Sequence, residues 1–323
     1  MAINRIWKPE TFQGHSKKSN YFEGWYFKLI DQSRETIIAM IPGIAIGNNK
    51  QDSHCFIQFI DATSGKTEYF RFPLEEFSSD INTFDVSIGV NRFSDNEINV
   101  NLNNGKTTIC GQLRFSNITK YPKSFLHPGI MGPFSFMPGM ECYHGIVNIS
   151  HTISGNLTIN GINVEMTGGE GYIEKDWGRS FPNSWIWLQA NHFANSKSSF
   201  MFSVADIPWL NSSFIGLISF LKTDSSFYNF STYNGSKIDH LSINDNTLTV
   251  ILKQRGKTLK FTAKYSQGGI LKAPKNGLMK RDIEESITAE IDLLLIDRNG
   301  VTIFEDTSKW VGMELASAFD LQK

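Results

Sequence analysis

Apolar and polar residues alternate along much of this chain with a period of two. Residues 98–102 (INVNL) and 247–252 (TLTVIL) alternate strictly, and 157–166 (LTINGINVEM) does so on either side of Asn160-Gly161. Such alternation places successive side chains on opposite faces of a strand. Asn-Gly between two alternating runs predicts a hairpin, because both residues tolerate the positive φ of a type I′ turn. Asn104-Gly105, Asn234-Gly235 and Arg298-Asn299-Gly300 predict further turns. Helical spacing is nearly absent; the expected exceptions are residues 74–77, 282–286 and the tail from Gly312. The pattern predicts an all-β protein with a strand every ~8–12 residues, as in sandwiches and barrels.

Residues 118–140 break the pattern. Four of the ten prolines (Pro122, Pro128, Pro133, Pro138) stand there with Gly129, Gly132 and Gly139. Proline cannot donate to a ladder, so a long loop or crossover is expected rather than a central strand. Phe125, Leu126, Ile130, Met131, Phe134, Phe136, Met137 and Met140 make it too apolar for a solvated linker. A lid over a binding site and packing over the open end of a barrel both fit.

Three matches keep their order at an offset of about half the chain. Trp25-Tyr26-Phe27 matches Trp185-Ile186-Trp187, residues 56–60 match 216–221, and 98–102 matches 248–252. They predict two similar β units in tandem, an internal duplication with its boundary near residues 168–180. The expected domains are 1–170, carrying the loop 118–140, and 171–323. A length of 323 residues suits two domains.

With 31 basic and 32 acidic residues the formal net charge is -1, which argues against a non-specific nucleic-acid binder. Aromatic residues are 13% of the chain, a richness that suits strands and apolar pockets. Cys55, Cys110 and Cys142 form no CxxC pair, and the histidines form no HxH or HExxH set, so no metal is expected. No leader or membrane-spanning run is visible, so a cytoplasmic protein is expected.

The densest chemistry lies at 168–193. In an extended strand Tyr172, Glu174 and Asp176 share one face, with Ile173, Lys175 and Trp177 on the other. Two carboxylates beside aromatics can hold a proton near neutral pH and act as a general acid, or they are a solvated or salt-bridged face. Trp185, Trp187, Gln189 and Asn191 form a mixed face that suits the wall of a cavity, or a plain outer surface. Tyr21, Glu23, Trp25 and Phe27 share another face. Glu23 either points to a polar site or pairs with a basic residue such as Arg179. Cys142 and His144 share a face in the strand after the loop. They are a nucleophile pair on paper, but a pocket-lining His144 or Tyr143 fits better because no helix N-terminus activates the thiol.

YFEGWYFK at 21–28, GPFSFMPGMECYHGIV at 132–147 and GYIEKDWGRSFPNSWIWLQANHF at 171–193 resemble the signature blocks of the tocopherol cyclase family. The resemblance implies two lipocalin-like (calycin-type) β-barrel units, as in the related carotenoid and isoflavonoid hydratases. It implies protonation of a prenyl alkene of a prenylated quinol and closure of a chromanol ring, an isomerisation without a cofactor. The alternatives it leaves are hydration of an alkene and non-catalytic binding of a lipid or quinone. In this frame Asp176, Glu174, Tyr172 and His144 are the expected catalytic residues. Glu23, Trp25, Tyr143, Trp177, Trp185, Trp187, Gln189 and Asn191 are the expected substrate contacts. The expected partner is a hydrophobic isoprenoid ligand, with peripheral membrane contact and no nucleic acid.

Overall fold

A computed structural model describes residues 5–62, 64–209 and 212–317. Nearly all regular structure in it is antiparallel sheet. The chain divides into two compact units. One contains residues up to 181 together with 271–282; the other contains 182–270 and the residues from 283 onward. The expected division after residue 170 lies inside a strand of the first sheet.

The first sheet contains β1 (Tyr21–Ile30), β2 (Ile37–Ile46), β3 (His54–Asp61), β4 (Lys66–Phe72), β5 (Phe77–Ser79), β6 (Asp85–Ile88), β7 (Asn91–Ser94), β8 (Glu97–Asn103), β9 (Thr108–Thr119), β10 (Cys142–Ile159), β11 (Ile162–Glu165) and β12 (Glu170–Gly178). Their spatial order is β4-β3-β2-β1-β12-β10-β9-β8-β7-β6-β5, with β11 on β10. Phe27 on β1 lies 5.8 Å from Phe93 on β7, five places away in that order. In a flat sheet those strands would stand roughly 24 Å apart. The sheet is therefore curled around a shared core that includes Trp25, Phe27, Phe59, Ile98 and Ile173.

The second sheet contains β13 (Trp185–Ala190), β14 (Ser199–Trp209), β15 (Ser212–Lys222), β16 (Phe227–Asn229), β17 (Lys237–Asn244), β18 (Thr247–Gln254), β19 (Lys257–Lys264), β20 (Gly269–Lys275), β21 (Leu278–Asp297) and β22 (Thr302–Ala316). Their order is β16-β15-β14-β13-β22-β21-β19-β18-β17, with β20 on β21. Phe202 on β14 and Phe261 on β19 lie 5.0 Å apart although four places separate their strands, so this sheet is curled too.

The second order corresponds strand for strand to the first from β4 to β7, with β1 matching β13, β3 matching β15, β8 matching β18 and β12 matching β22, and β6 and β5 extend the first alone. The tandem lipocalin-like units and the duplication are therefore present as topology. The sequence matches are only partly in phase with it. Ile98, Val100 and Leu102 enter one core as Leu248, Val250 and Leu252 enter the other. Trp25 faces its core, whereas Trp185 faces away from its own, where Ile186 is the core residue. A slip of one residue flips every side chain to the other face.

The predicted turns form. Asn160 and Gly161 take φ of 51° and 82° between β10 and β11. Gly105, Gly235 and Gly300 also have positive φ in their turns. Residues 74–76 form a 3-10 turn, close to expectation. The other two helical expectations are corrected. Residues 282–286 lie within β21, and the tail from Gly312 continues β22 to Ala316, because in both places a neighbouring strand takes the backbone hydrogen bonds. The rest of that tail, 318–323, lies outside the described residues. Among the described residues no helix is long and apolar enough to cross a membrane.

The Pro/Gly-rich segment is a long loop with one 3-10 turn at Gly132–Phe136. Tyr121, Ile130, Met131 and Met140 are buried. Met131 Sδ accepts the His144 backbone N–H at 3.1 Å.

Candidate active site

β12 pairs with β1 on one side and with β10 on the other, so it carries the residues singled out at 172–177 into the middle of the first sheet. Its alternation holds. Ile173 and Trp177 belong to the core side, and Tyr172, Glu174 and Asp176 face away from it. The register sets His144 opposite Asp176 and Ile146 opposite Glu174 on β10. It sets Tyr26 opposite Glu174 and Lys28 opposite Tyr172 on β1.

The four expected catalytic residues converge. His144 Nδ1 lies 2.9 Å from Asp176 Oδ1. Its Nε2 lies 3.5 Å from Glu174 Oε2, an electrostatic contact longer than a good hydrogen bond. Tyr172 OH donates to Glu174 Oε2 at 2.6 Å. Burial disfavours charge on His144, but Asp176 and then Glu174 outweigh it and raise the imidazole pKa to about 10. The ring is thus an imidazolium clasped by two carboxylates. Burial, followed by the Glu174 charge, pushes the Tyr172 hydroxyl well above its usual range and keeps it a donor. Asp176 is the most accessible of the three charged groups, its side chain 25% exposed against 13% for His144 and 5% for Glu174.

His144, Glu174 and Asp176 also bring three potential metal-ligand atoms within 4.8 Å of one another. Nδ1 is engaged by Asp176, whereas Nε2 is buried 3.5 Å from Glu174 without a hydrogen bond, so the three groups can hold a proton between them or offer that nitrogen and the two carboxylates to an ion. The Cys142/His144 nucleophile pair does not form. Cys142 Sγ lies 3.8 Å from Asp176 Oδ1, and burial and that carboxylate push its thiol well above the usual range.

Glu23 and Trp25 lie on the core side of β1, away from the His144 cluster. Lys175 Nζ reaches Glu23 Oε1 at 2.5 Å, with both side chains fully buried. Its other hydrogen bonds go to the carbonyls of Pro9, at 2.8 Å, and Thr11, at 2.5 Å. Glu23 also accepts Gln13 N–H at 2.9 and 3.0 Å and the Tyr21 hydroxyl. The basic partner of Glu23 is therefore Lys175 and not Arg179, whose guanidinium meets Asn276. The same ammonium stands over the rings of Trp25 and Trp177, 4.9 and 4.7 Å from their centroids. Tyr143 stacks on Trp177 at 5.6 Å and donates its hydroxyl to Met137 O at 2.6 Å. Glu23, Trp25, Trp177 and Tyr143, gathered around Lys175, form a packed cluster that fastens residues 9–13 and the long loop to the sheet.

Trp185, Trp187 and Gln189 belong to the other unit, buried on the side of β13 away from its core. Asn191 is buried just past the end of β13, its Oδ1 3.0 Å from His192 Nδ1. Glu314 on β22 accepts Trp185 Nε1–H at 2.5 Å and stands in register with Trp187 and with the buried Glu285. This carboxylate repeats, on the corresponding strand, the place of Glu174 opposite an aromatic residue. Glu285 and Glu314 were not singled out in the sequence. Nor were Tyr26 and Lys28, although both sit in the first signature block with the parity of Glu174's partners.

The chain shares its fold with CghA, at a TM-score of 0.58 and 10% identity over 91% of this chain and 88% of that one. The structure of CghA with Sch210972 gives 0.53 and 11% over the same shares. Kievitone hydratase from Nectria haematococca gives 0.48 and 10%, over 95% of this chain and 93% of that one. No curated protein matches the chain in sequence. The family model described as tocopherol cyclase-like matches residues 121–317, a range that contains most of the long loop, His144, Tyr172, Glu174 and Asp176. Spanning more than half of the chain and all four converging residues, that match shows that this protein belongs to the tocopherol cyclase-like family.

Proposed function

We propose that this chain is a cyclase that protonates a prenyl alkene of a prenylated quinol and closes a chromanol ring. The observation that carries this reading is the half-buried His144 imidazolium held between Asp176 and Glu174. Alkene protonation needs a positioned acid in a site shielded from water. Asp176, the most accessible group, delivers the proton. It draws that proton from His144 Nδ1 across the 2.9 Å contact. A C–H bond forms as the π bond breaks, leaving a tertiary cation. With His144 then neutral, the carboxylates of Asp176 and Glu174 are left to stabilise the cation. Tyr172 OH fixes the Glu174 carboxylate. The phenol oxygen of the quinol attacks the cation, and its proton returns through Asp176 to His144. Substrate and product are isomers, so the balance calls for no redox cofactor.

Trp25 and Trp177 do not serve the cation in this reading, because the Lys175 ammonium already occupies their rings. Tyr26 and Tyr172 are aromatic residues on the side of Glu174, next to it across and along the strands. Trp185, Trp187, Gln189 and Asn191 remain candidate ligand contacts on their own unit. The test is incubation of the protein with a short-chain prenylated hydroquinone, followed by mass analysis. The expected product has the mass of the substrate, and Asp176→Asn lowers turnover by about 10²–10⁴-fold. A product heavier by one water would replace cyclisation with hydration. Stoichiometric binding without conversion would make the chain a carrier.

A further inference from the structure

The long loop carries a feature that the proposed chemistry does not use. Ser124 and His127 exchange both backbone hydrogen bonds, at 2.8 and 3.1 Å, which makes a tight turn with Phe125 and Leu126 at its tip. Such tips favour Asn, Gly, Asp and Ser. Here they are two large apolar side chains, 79% and 63% exposed. The tip is braced. Phe125 stacks on Trp7 at 5.9 Å, and Phe136, also exposed, meets the same indole edge-on at 5.4 Å. Ser124 Oγ and His127 Nδ1 close the turn from the side at 3.2 Å.

Lys123, two residues before the tip, pairs with Glu10 and also bonds Trp7 O, and Lys120 pairs with Asp95. A rigid aromatic and aliphatic wedge with lysines at its base has the chemistry of the membrane interface. A broad flat patch would suit a protein partner better.

We propose that the Phe125-Leu126 turn, braced by Trp7 and Phe136, inserts into the surface of a phospholipid bilayer. This rests on the reading of the chain as acting on a membrane-dissolved isoprenoid, and the loop behind the wedge is the one that contacts His144 through Met131.

The test is flotation of the full chain with vesicles of phosphatidylcholine, alone or with one quarter phosphatidylglycerol. No quinol is present, so the result does not depend on turnover. The wild-type protein is expected to float with both. Phe125→Ser/Leu126→Ser is expected to partition at least tenfold less, with an unchanged circular dichroism spectrum. Phe125→Trp keeps an apolar tip; it should still float, and its added indole should be quenched by brominated acyl chains. A wild-type protein left in the soluble fraction with both vesicles would overturn the proposal. So would a serine variant that floats equally well. A patch-dependent dimer in sedimentation, without flotation, would assign the tip to a second copy of the chain.

Discussion

Replacing Lys175 with methionine probes the cluster that holds the beginning of the chain against the first sheet. Lys175 and Glu23 are both fully buried, and their charges meet at 2.5 Å. Burial pulls the Lys175 pKa down and pushes the Glu23 pKa up, and each charge is kept by the other. Lys175→Met leaves the Glu23 carboxylate facing only Gln13 N–H and the Tyr21 hydroxyl, takes the Lys175 donor from the Pro9 carbonyl, and leaves the Thr11 carbonyl with the Gln13 side-chain amide. Removing one partner of a buried pair costs about 3–5 kcal/mol. At roughly 2–4 °C per kcal/mol for a unit of this size, the melting temperature should fall by about 6–20 °C. Glu23→Gln added to Lys175→Met removes the orphaned charge while an amide oxygen still accepts Gln13 N–H. The double variant should therefore be more stable than the single one by at least about 2 kcal/mol. The assay is thermal and urea unfolding of both variants beside the wild type. A single variant within about 1 kcal/mol of wild type, or a double variant less stable than the single, would refute this account of the cluster.

Two histidines give opposite pH dependences. His144 is raised to about 10 from its ordinary 6.5, so the stability its charge contributes is complete below pH 6.5 and is lost as pH rises through 10. In kcat/KM profiles the alkaline limb should lie near pH 10, and Glu174→Gln should move it downward by removing one of the two carboxylates that hold the proton; a wild-type limb near 6.5 would contradict this. His151 is buried against Phe115 and Gly171, and burial lowers it to about 3. Its contribution is complete above pH 6.5 and is lost as pH falls toward 3, about 3 kcal/mol by pH 4.5. His151→Leu should flatten that part of the acid unfolding curve, as measured by urea unfolding at pH 7.5 and 4.5.

Much of the fold is written in local patterns. The alternation at 98–102 and 247–252 fixes strands and their buried faces, and Asn160-Gly161 fixes a hairpin, because each signal depends on neighbouring residues alone. The shared face of Tyr172, Glu174 and Asp176 was legible for the same reason. The partners across strands were not. His144 reaches Asp176 over 32 residues of sequence through the register of β10 on β12, and no local pattern states a register. The partner of Glu23 was partly legible: Lys175 has the parity of the core face, whereas Arg179 lies beyond the end of β12. Of the matches that point to the duplication, Trp25/Trp185 falls on opposite faces, whereas 98–102 and 248–252 fill equivalent core positions on corresponding strands. Glu285 lies near the start of β21 and Glu314 near the end of β22, the two stretches whose spacing suggests a helix, so the face they share is not legible in the sequence.

The most direct measurement of the central claim is solvent labelling. The protein is incubated in D₂O with a short-chain prenylated hydroquinone, and the product is analysed by mass spectrometry and NMR. Proton delivery from Asp176, refilled by His144, predicts one non-exchangeable deuterium per product, on the ring carbon next to the new C–O bond, and its near loss with Asp176→Asn. A chromanol formed without deuterium, or labelled equally well by the Asp176→Asn variant, would contradict the assignment of these residues as the acid.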